Sequence, residues 1–74
     1  MWSGLAEFHA IKWTIENIKE RPLKVTSDCM TAIYWARKGG NKKTKKIIVP
    51  PIDLSLLEGV IVEYKHENYA DIYN

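Results

Sequence analysis

The chain has few of the features that staple or localise small proteins. Its 74 residues include one cysteine, Cys29, so no intrachain disulfide can form. A lone thiol is typical of a reducing compartment, and we expect a cytoplasmic protein. No apolar run approaches the roughly 20 residues that cross a bilayer. No charged segment followed by an apolar core marks a secretory signal. We therefore expect no membrane partner.

The length of the chain limits the size of its core. We expect one domain over residues 1–74, and a core of this size supplies only about 3–5 kcal/mol of stability without a staple. Hydrophobic residues make up 46% of the chain. This fraction predicts a globular protein rather than a disordered one.

Acidic residues are unevenly distributed. The net charge is only +2, but residues 37–46 contain six cations and no acid. A solvated basic loop is the simpler explanation. The alternative is a patch that contacts nucleic-acid phosphates, because lysines displace condensed counterions. The residues assigned to that contact are Lys42, Lys43, Lys45 and Lys46.

The first predicted element is an amphipathic helix. Phe8, Ile11, Ile15 and Ile18 recur at helical spacing. Pro22 ends this helix, because the residue before a proline is pushed out of the helical region. Three more residues, Ala6, Ala10 and Trp13, are expected to broaden its apolar face.

A strand and a second helix follow. Residues 23–27 predict a short strand, and residues 28–38 predict a helix that Gly39 and Gly40 stop. The lysine-rich stretch is expected to be a loop or frayed turn. Residues 47–49 fit either a short strand or a segment that covers the core, and Pro50 with Pro51 should break any regular element there. Asp53 should then cap a short helix that ends at Leu57.

The last strand should span residues 60–64, with a final helix starting in residues 65–74. Strands that alternate with helices imply a parallel pair. Two strands make a marginal sheet, and a parallel pair normally needs cover on both faces. We therefore expect an α/β unit of two parallel strands with flanking helices. Another segment or chain, including a second copy, should complete its sheet.

Three carboxylates stand at positions that suit a metal site. Glu7 lies near the start of the first helix, Asp28 at a strand end, and Asp71 after the last strand. Carboxylates that converge at one end of a sheet favour a hard cation such as Mg²⁺ or Mn²⁺ between them. Each also has a simpler explanation. Glu7 would complement the helix dipole, Asp28 would cap the second helix, and Asp71 would be a solvated tail residue.

Sequence motifs around these acids resemble the type 1 ribonuclease H family. Ala6-Glu7-Phe8 opens a helix, as the Ala-Glu pair does in that family, and Ser27-Asp28-Cys29 matches its strand ending in Asp-Ser. The run from Thr31 to Lys38 and the lysines after it look like a bacterial and phage subgroup. Residues 67–71, Glu-Asn-Tyr-Ala-Asp, resemble the subgroup's ending.

This resemblance implies metal-dependent hydrolysis of RNA in RNA–DNA hybrids. Glu7 would match the second of four metal-ligating carboxylates, Asp28 the third and Asp71 the fourth. The first stands on a strand before the helix, where this chain has only residues 1–4. We therefore expect a partial ribonuclease H-like unit that is weak or inactive alone. The alternatives are a non-catalytic nucleic-acid-binding module and a self-associating structural remnant of the fold.

Overall fold

The computed structural model describes residues 3–65, which form a mixed α/β domain. Strands β1 and β4 pair in parallel, whereas β2 and β3 pair antiparallel. The predicted class and the predicted parallel pair are therefore confirmed, and both strands of that pair have the predicted bounds. The predicted final helix lies outside the described residues. In chain order the elements are α1 (Ser3–Asn17), β1 (Leu23–Ser27), α2 (Met30–Arg37), β2 (Gly40–Lys43), β3 (Ile48–Pro51), a 3₁₀ helix (Leu54–Leu57) and β4 (Val60–Tyr64).

The parallel pair directs one face into the core. Val25 of β1 stands opposite Val62 of β4, and both side chains are buried. On the other face Lys24, Thr26 and Ile61 are exposed. Within residues 3–65 the helices therefore cover only one face of this pair, and the second face is open to solvent.

Helix α1 buries a narrower face than its sequence predicts. Phe8, Ile11 and Ile15 are buried in the core, and the Phe8 ring meets Trp35 of α2 edge to face at 6.2 Å between centroids. Trp13 was expected in the core but is 62% exposed. It lies two residues from both isoleucines, about 200° around the helix, so it points away from α2. Ala6 and Ala10 are exposed for the same reason.

The end of α1 differs from the prediction. The helix stops at Asn17, before the expected break at Pro22. The Arg21 guanidinium lies at this end, where its Nη1 donates to the Ile18 carbonyl at 2.7 Å and its Nη2 donates to the Leu56 carbonyl of the 3₁₀ helix at 2.8 Å. These bonds give donors to carbonyls that would otherwise lack a partner at a helix end. They also connect the end of α1 to the 3₁₀ helix.

The lysine-rich stretch belongs to an antiparallel ribbon, so the prediction of a loop or frayed turn fails for Lys42 and Lys43 in β2 and holds for Lys45 and Lys46 in the turn between the strands. Lys42 stands opposite Val49 and Lys43 opposite Ile48. The prediction that prolines exclude regular structure here is wrong as well, because Pro50 and Pro51 belong to β3. Each strand of a two-stranded sheet is an edge strand, where a missing N–H is tolerated. Val49 is buried and anchors the ribbon to the core.

The short helix after the ribbon follows its prediction. Asp53 is its N-cap, with a side-chain oxygen accepting from the Ser55 N–H at 3.0 Å and from the Ser55 hydroxyl at 2.8 Å. These bonds hold the pKa of Asp53 below its usual value. Along residues 3–65, no helix combines the length and apolar character that crossing a membrane requires.

Candidate functional site

A cleft opens at the carboxyl end of β1. It has a volume of about 400 Å³ and is lined by residues of α1, of β1 and of the segments that follow β1 and β4. Ligands of open α/β sheets bind at this end of the strands, because the loops there leave a crevice. The cleft is therefore the first candidate site. Its lining residues are Glu7, Thr26, Ser27, Asp28 and Lys65.

Ser27 organises the floor of this cleft. Its side chain is buried, and its hydroxyl donates to the Glu7 carboxylate at 3.1 Å. The same oxygen accepts from the Cys29 N–H at 3.1 Å, at the start of α2. One hydroxyl therefore links α1, β1 and α2, and it restricts the orientation of Glu7.

The simpler explanation of Asp28 as a helix cap is wrong. The N-cap of α2 is Cys29, in an extended conformation and without a side-chain capping bond. Helix α2 begins at Met30 rather than at Asp28, because the Ser27 hydroxyl turns the chain through residues 28 and 29 first. Asp28 is exposed and borders the cleft. Its carboxylate is therefore available to a ligand.

Helix-dipole complementation does not account for Glu7 either. Glu7 is the fifth residue of α1, whose first turn contains no acid. The macrodipole acts on charges within the first turn. The partial burial of Glu7 and its bond to Ser27 instead direct its carboxylate toward the cleft.

The structure brings two of the three predicted metal ligands together. Glu7 and Asp28 share the cleft, whereas Asp71 lies outside the described residues. Among residues 3–65, no three histidine, cysteine or acidic side chains are grouped closely enough to hold a metal ion. The described part of the chain therefore offers a pair of carboxylates at this site.

The predicted nucleic-acid contacts lie on the ribbon. All four lysines are exposed, Lys42 and Lys43 on β2 and Lys45 and Lys46 in the turn between the strands. Helix α2 connects the cleft to the ribbon along the chain, because it starts after Asp28 and Cys29 and ends just before β2. Its eight residues span about 12 Å.

Two cleft residues have roles that the sequence alone did not assign. Ser27 was noted only as part of a motif, and its hydroxyl now links Glu7 to α2. Lys65 follows β4, and its N–H extends the parallel pairing by donating to the Ser27 carbonyl at 2.8 Å. A polar residue ending a β-branched run was the available signal for Ser27. No sequence signal pointed to Lys65, because its place at the cleft depends on the register between β1 and β4.

Comparisons with protein-family models, with curated proteins and with solved structures found no match to this chain. The likeness to ribonuclease H therefore rests on the sequence motifs around Glu7, Asp28 and Asp71.

Proposed function

We propose that this chain is a ribonuclease H-like protein that hydrolyses RNA in RNA–DNA hybrids once its carboxylate site is completed. The observation that carries the proposal is the cleft shared by Glu7 and Asp28 at the carboxyl end of β1. These acids are 21 positions apart in the chain, and the fold brings both to one crevice. Two of the motifs that resemble the family surround these same two residues.

The two carboxylates suit a hard divalent cation. Mg²⁺ is commonly bound through one or two protein carboxylates, with water and substrate phosphates as its other ligands. Glu7 and Asp28 would hold Mg²⁺ or Mn²⁺, and the ion would supply charge neutralisation at a phosphodiester and a more acidic water. In the proposed complete site, Asp71 and a carboxylate from another segment or chain add further ligands.

Other residues of the cleft have supporting roles. Ser27 positions Glu7 through the bond between its hydroxyl and the Glu7 carboxylate. Lys65 places a cation at the same cleft, where it would attract a phosphate. The proposed hydrolysis adds one water across a P–O bond and leaves a phosphate monoester and a hydroxyl, so it needs no other reactant.

Metal binding is the first test of this proposal. We expect Mn²⁺ to broaden the NMR amide signals of residues next to the cleft, including Ser27 and Asp28. Glu7→Gln and Asp28→Asn should each abolish this broadening. Glu58→Gln is the matched control, because Glu58 is exposed next to Gly59 at the opposite end of the strand pair. Broadening that persists in both cleft variants would exclude the assigned ligands.

Cleavage of a labelled RNA–DNA hybrid is the second test. We expect weak or absent cleavage by this chain alone, and robust cleavage would contradict an incomplete site. Asp28→Asn should remove any Mn²⁺-dependent cleavage that is observed, and Glu58→Gln should leave it unchanged. Cleavage that Asp28→Asn leaves intact would contradict the proposal, since the activity would then arise elsewhere or from a contaminant. No cleavage together with no metal at the cleft would contradict it equally.

A further inference from the structure

A second pocket opens along the outer edge of β4, the edge that does not pair with β1. Its volume is about 300 Å³, at the lower end of the roughly 300–1,000 Å³ that is usual for ligand pockets. The proposed hydrolytic site does not use it. Four of its lining residues in the described part of the chain are apolar and one is a cation, so it suits an apolar group joined to an anion. The lining residues are Arg37, Leu57, Val60, Ile61 and Val62.

Arg37 presents a fixed guanidinium to this pocket. It lies in the last turn of α2, and its Nε donates to the Val62 carbonyl at 2.9 Å. Within residues 3–65 its two Nη groups form no hydrogen bond and no ion pair. A guanidinium that is held at Nε keeps its other N–H donors in a planar fork that matches a carboxylate. Arg37 is therefore a preformed carboxylate receptor at the rim of the pocket.

The main chain of β4 adds two polar groups beside the pocket. The Gly59 carbonyl and the Lys65 N–H both bond to β1. Alternate residues of a strand face the same edge, so Val60 and Val62 direct their main-chain groups away from β1. Within residues 3–65, the Val60 carbonyl and the Val62 N–H bond no other main-chain group. Such an edge can accept one more extended segment.

We propose that the outer edge of β4 docks an extended segment of a partner protein in which an acid follows an apolar residue by two positions. In a parallel arrangement, one residue of that segment bonds both the Val60 carbonyl and the Val62 N–H. Its two neighbours then point to the face of the sheet that α2 covers. The preceding neighbour meets Leu57 and Val60 and should be apolar, and the following neighbour meets Arg37 and should be acidic.

The same contacts fix the direction of the segment. An antiparallel segment would donate an N–H to the Val62 carbonyl, which already accepts from Arg37. A parallel segment needs only the Val60 carbonyl and the Val62 N–H. The order of the apolar and acidic residues is therefore part of the proposal.

NMR titration with a short peptide tests this docking. The probe is Thr-Thr-Leu-Thr-Asp-Thr, blocked at both ends so that the aspartate is its only charge. We expect saturable shifts of the Val60, Ile61 and Val62 amide signals. Hydrogen exchange of the Val62 N–H should slow, because this group gains an acceptor. Unshifted β4 signals, or unchanged exchange at Val62, would overturn the proposal.

Peptide variants test the pattern without altering the domain. Replacing the aspartate by asparagine, or the leucine by serine, should weaken binding about tenfold or more. The reordered peptide Thr-Thr-Asp-Thr-Leu-Thr should bind as weakly as these two. Equal affinity of the original and reordered peptides would overturn the proposal, since β4 would then read no register. Octanoate that binds as tightly as the peptide would also overturn it, because the main chain would then contribute nothing.

Arg37→Gln tests the receptor directly. It should weaken the aspartate peptide about as much as the change to asparagine does, and it should not weaken the asparagine peptide further. Lys38→Gln is the matched control, because it removes the same charge from the next residue, whose Nζ lies 5.6 Å from the centre of the Tyr34 ring. An equal effect of the two variants would overturn the proposal, since binding would then follow net charge.

The docking site and the proposed hydrolysis can fail separately. The titration is run in EDTA, so it needs no metal at the cleft. Glu7→Gln and Asp28→Asn should leave peptide binding intact, because neither acid lines the pocket at β4. Arg37→Gln should leave the Mn²⁺ broadening at the cleft intact. Peptide binding that Asp28→Asn removes and Arg37→Gln preserves would overturn the assignment of the docking site to β4.

Discussion

At the scale of residues, the Ser27 side chain fixes the geometry of the cleft through two hydrogen bonds. It lies 8% exposed between the Glu7 carboxylate and the N–H of Cys29, the N-cap of α2. A buried polar group is stable only when its hydrogen bonds are made. The proposed metal site and the stability of the domain therefore both depend on this hydroxyl.

Ser27→Ala should weaken both properties. It leaves the Cys29 N–H without its acceptor and frees the Glu7 carboxylate, so we expect a loss of about 1–3 kcal/mol of stability. Urea unfolding measures the loss of stability. The Mn²⁺ titration measures the affinity of the cleft for the metal, which should fall as well. Ser55→Ala is the control, because it also removes a serine hydroxyl bonded to a carboxylate but at an exposed site. If Ser27→Ala is no more destabilising than Ser55→Ala, the role given to Ser27 is wrong.

Gly40 is the second residue at which a single substitution should lower the stability of the domain, because the structure leaves no room for a Cβ atom there. Its φ is +68°, and an added Cβ would lie 2.2 Å from the Pro50 carbonyl oxygen. We expect Gly40→Ala to cost on the order of 3 kcal/mol or more, because the ribbon backbone must move. Gly59→Ala is the comparison. Its φ is +79° but its nearest contact would be 3.4 Å, so only the left-handed penalty of about 1–2 kcal/mol applies. Equal losses by thermal unfolding would refute the steric argument.

At the scale of elements, the 3₁₀ helix has a carboxylate cap whose ionisation contributes to stability. Two hydrogen bonds from Ser55 favour the ionised form of Asp53 and lower its pKa. A lowered folded-state pKa contributes stability that is present above the unfolded pKa and is lost as the pH falls through the folded pKa. Asp53→Asn should therefore reduce stability near neutral pH, and the difference from wild type should vanish in acid. Thermal melts across the acidic range measure this, and a difference that persists at the lowest pH would contradict it.

The ribbon shows why some elements could not be predicted. β1 and β4 were predicted because β-branched residues fill them and polar residues bound them. β2 has the sequence Gly-Asn-Lys-Lys, which has low strand propensity. It forms a strand because β3 is fixed by buried Val49 and offers it a partner. That cause is tertiary, and no local pattern encodes it.

At the scale of the whole molecule, the candidate site was predictable in part. The sequence identified Glu7 and Asp28, and the fold places both on one cleft. It misassigned Trp13, because a helix of this size has room for only one buried face and Phe8, Ile11 and Ile15 already occupy it. Which apolar residues of α1 are buried depends on how α1 packs on the rest of the domain, and the sequence of the helix alone does not specify that packing.

The two outer edges of the parallel pair differ. The outer edge of β4 is covered at one point, where Arg37 Nε donates to the Val62 carbonyl at 2.9 Å. On β1, Leu23 and Ser27 bond toward β4, so the alternating residues Lys24 and Thr26 direct their main-chain groups outward. Within residues 3–65 no strand pairs with this outer edge of β1. An unpaired strand edge can pair with another strand. We therefore expect self-association through β1.

A two-fold antiparallel pairing centred on Val25 suits this edge. It sets Lys24 opposite Thr26 of the second copy, so no like charges face each other directly. Because the pairing surface is small, we expect a weak dimer at high concentration. Thr26→Pro removes an outward N–H and should abolish it, whereas Thr26→Val keeps that N–H and should not. Sedimentation at increasing concentration measures both variants. A wild-type protein that stays monomeric at the highest concentration would exclude this edge as a self-association surface, because the exposed N–H groups of β1 would then pair only with water.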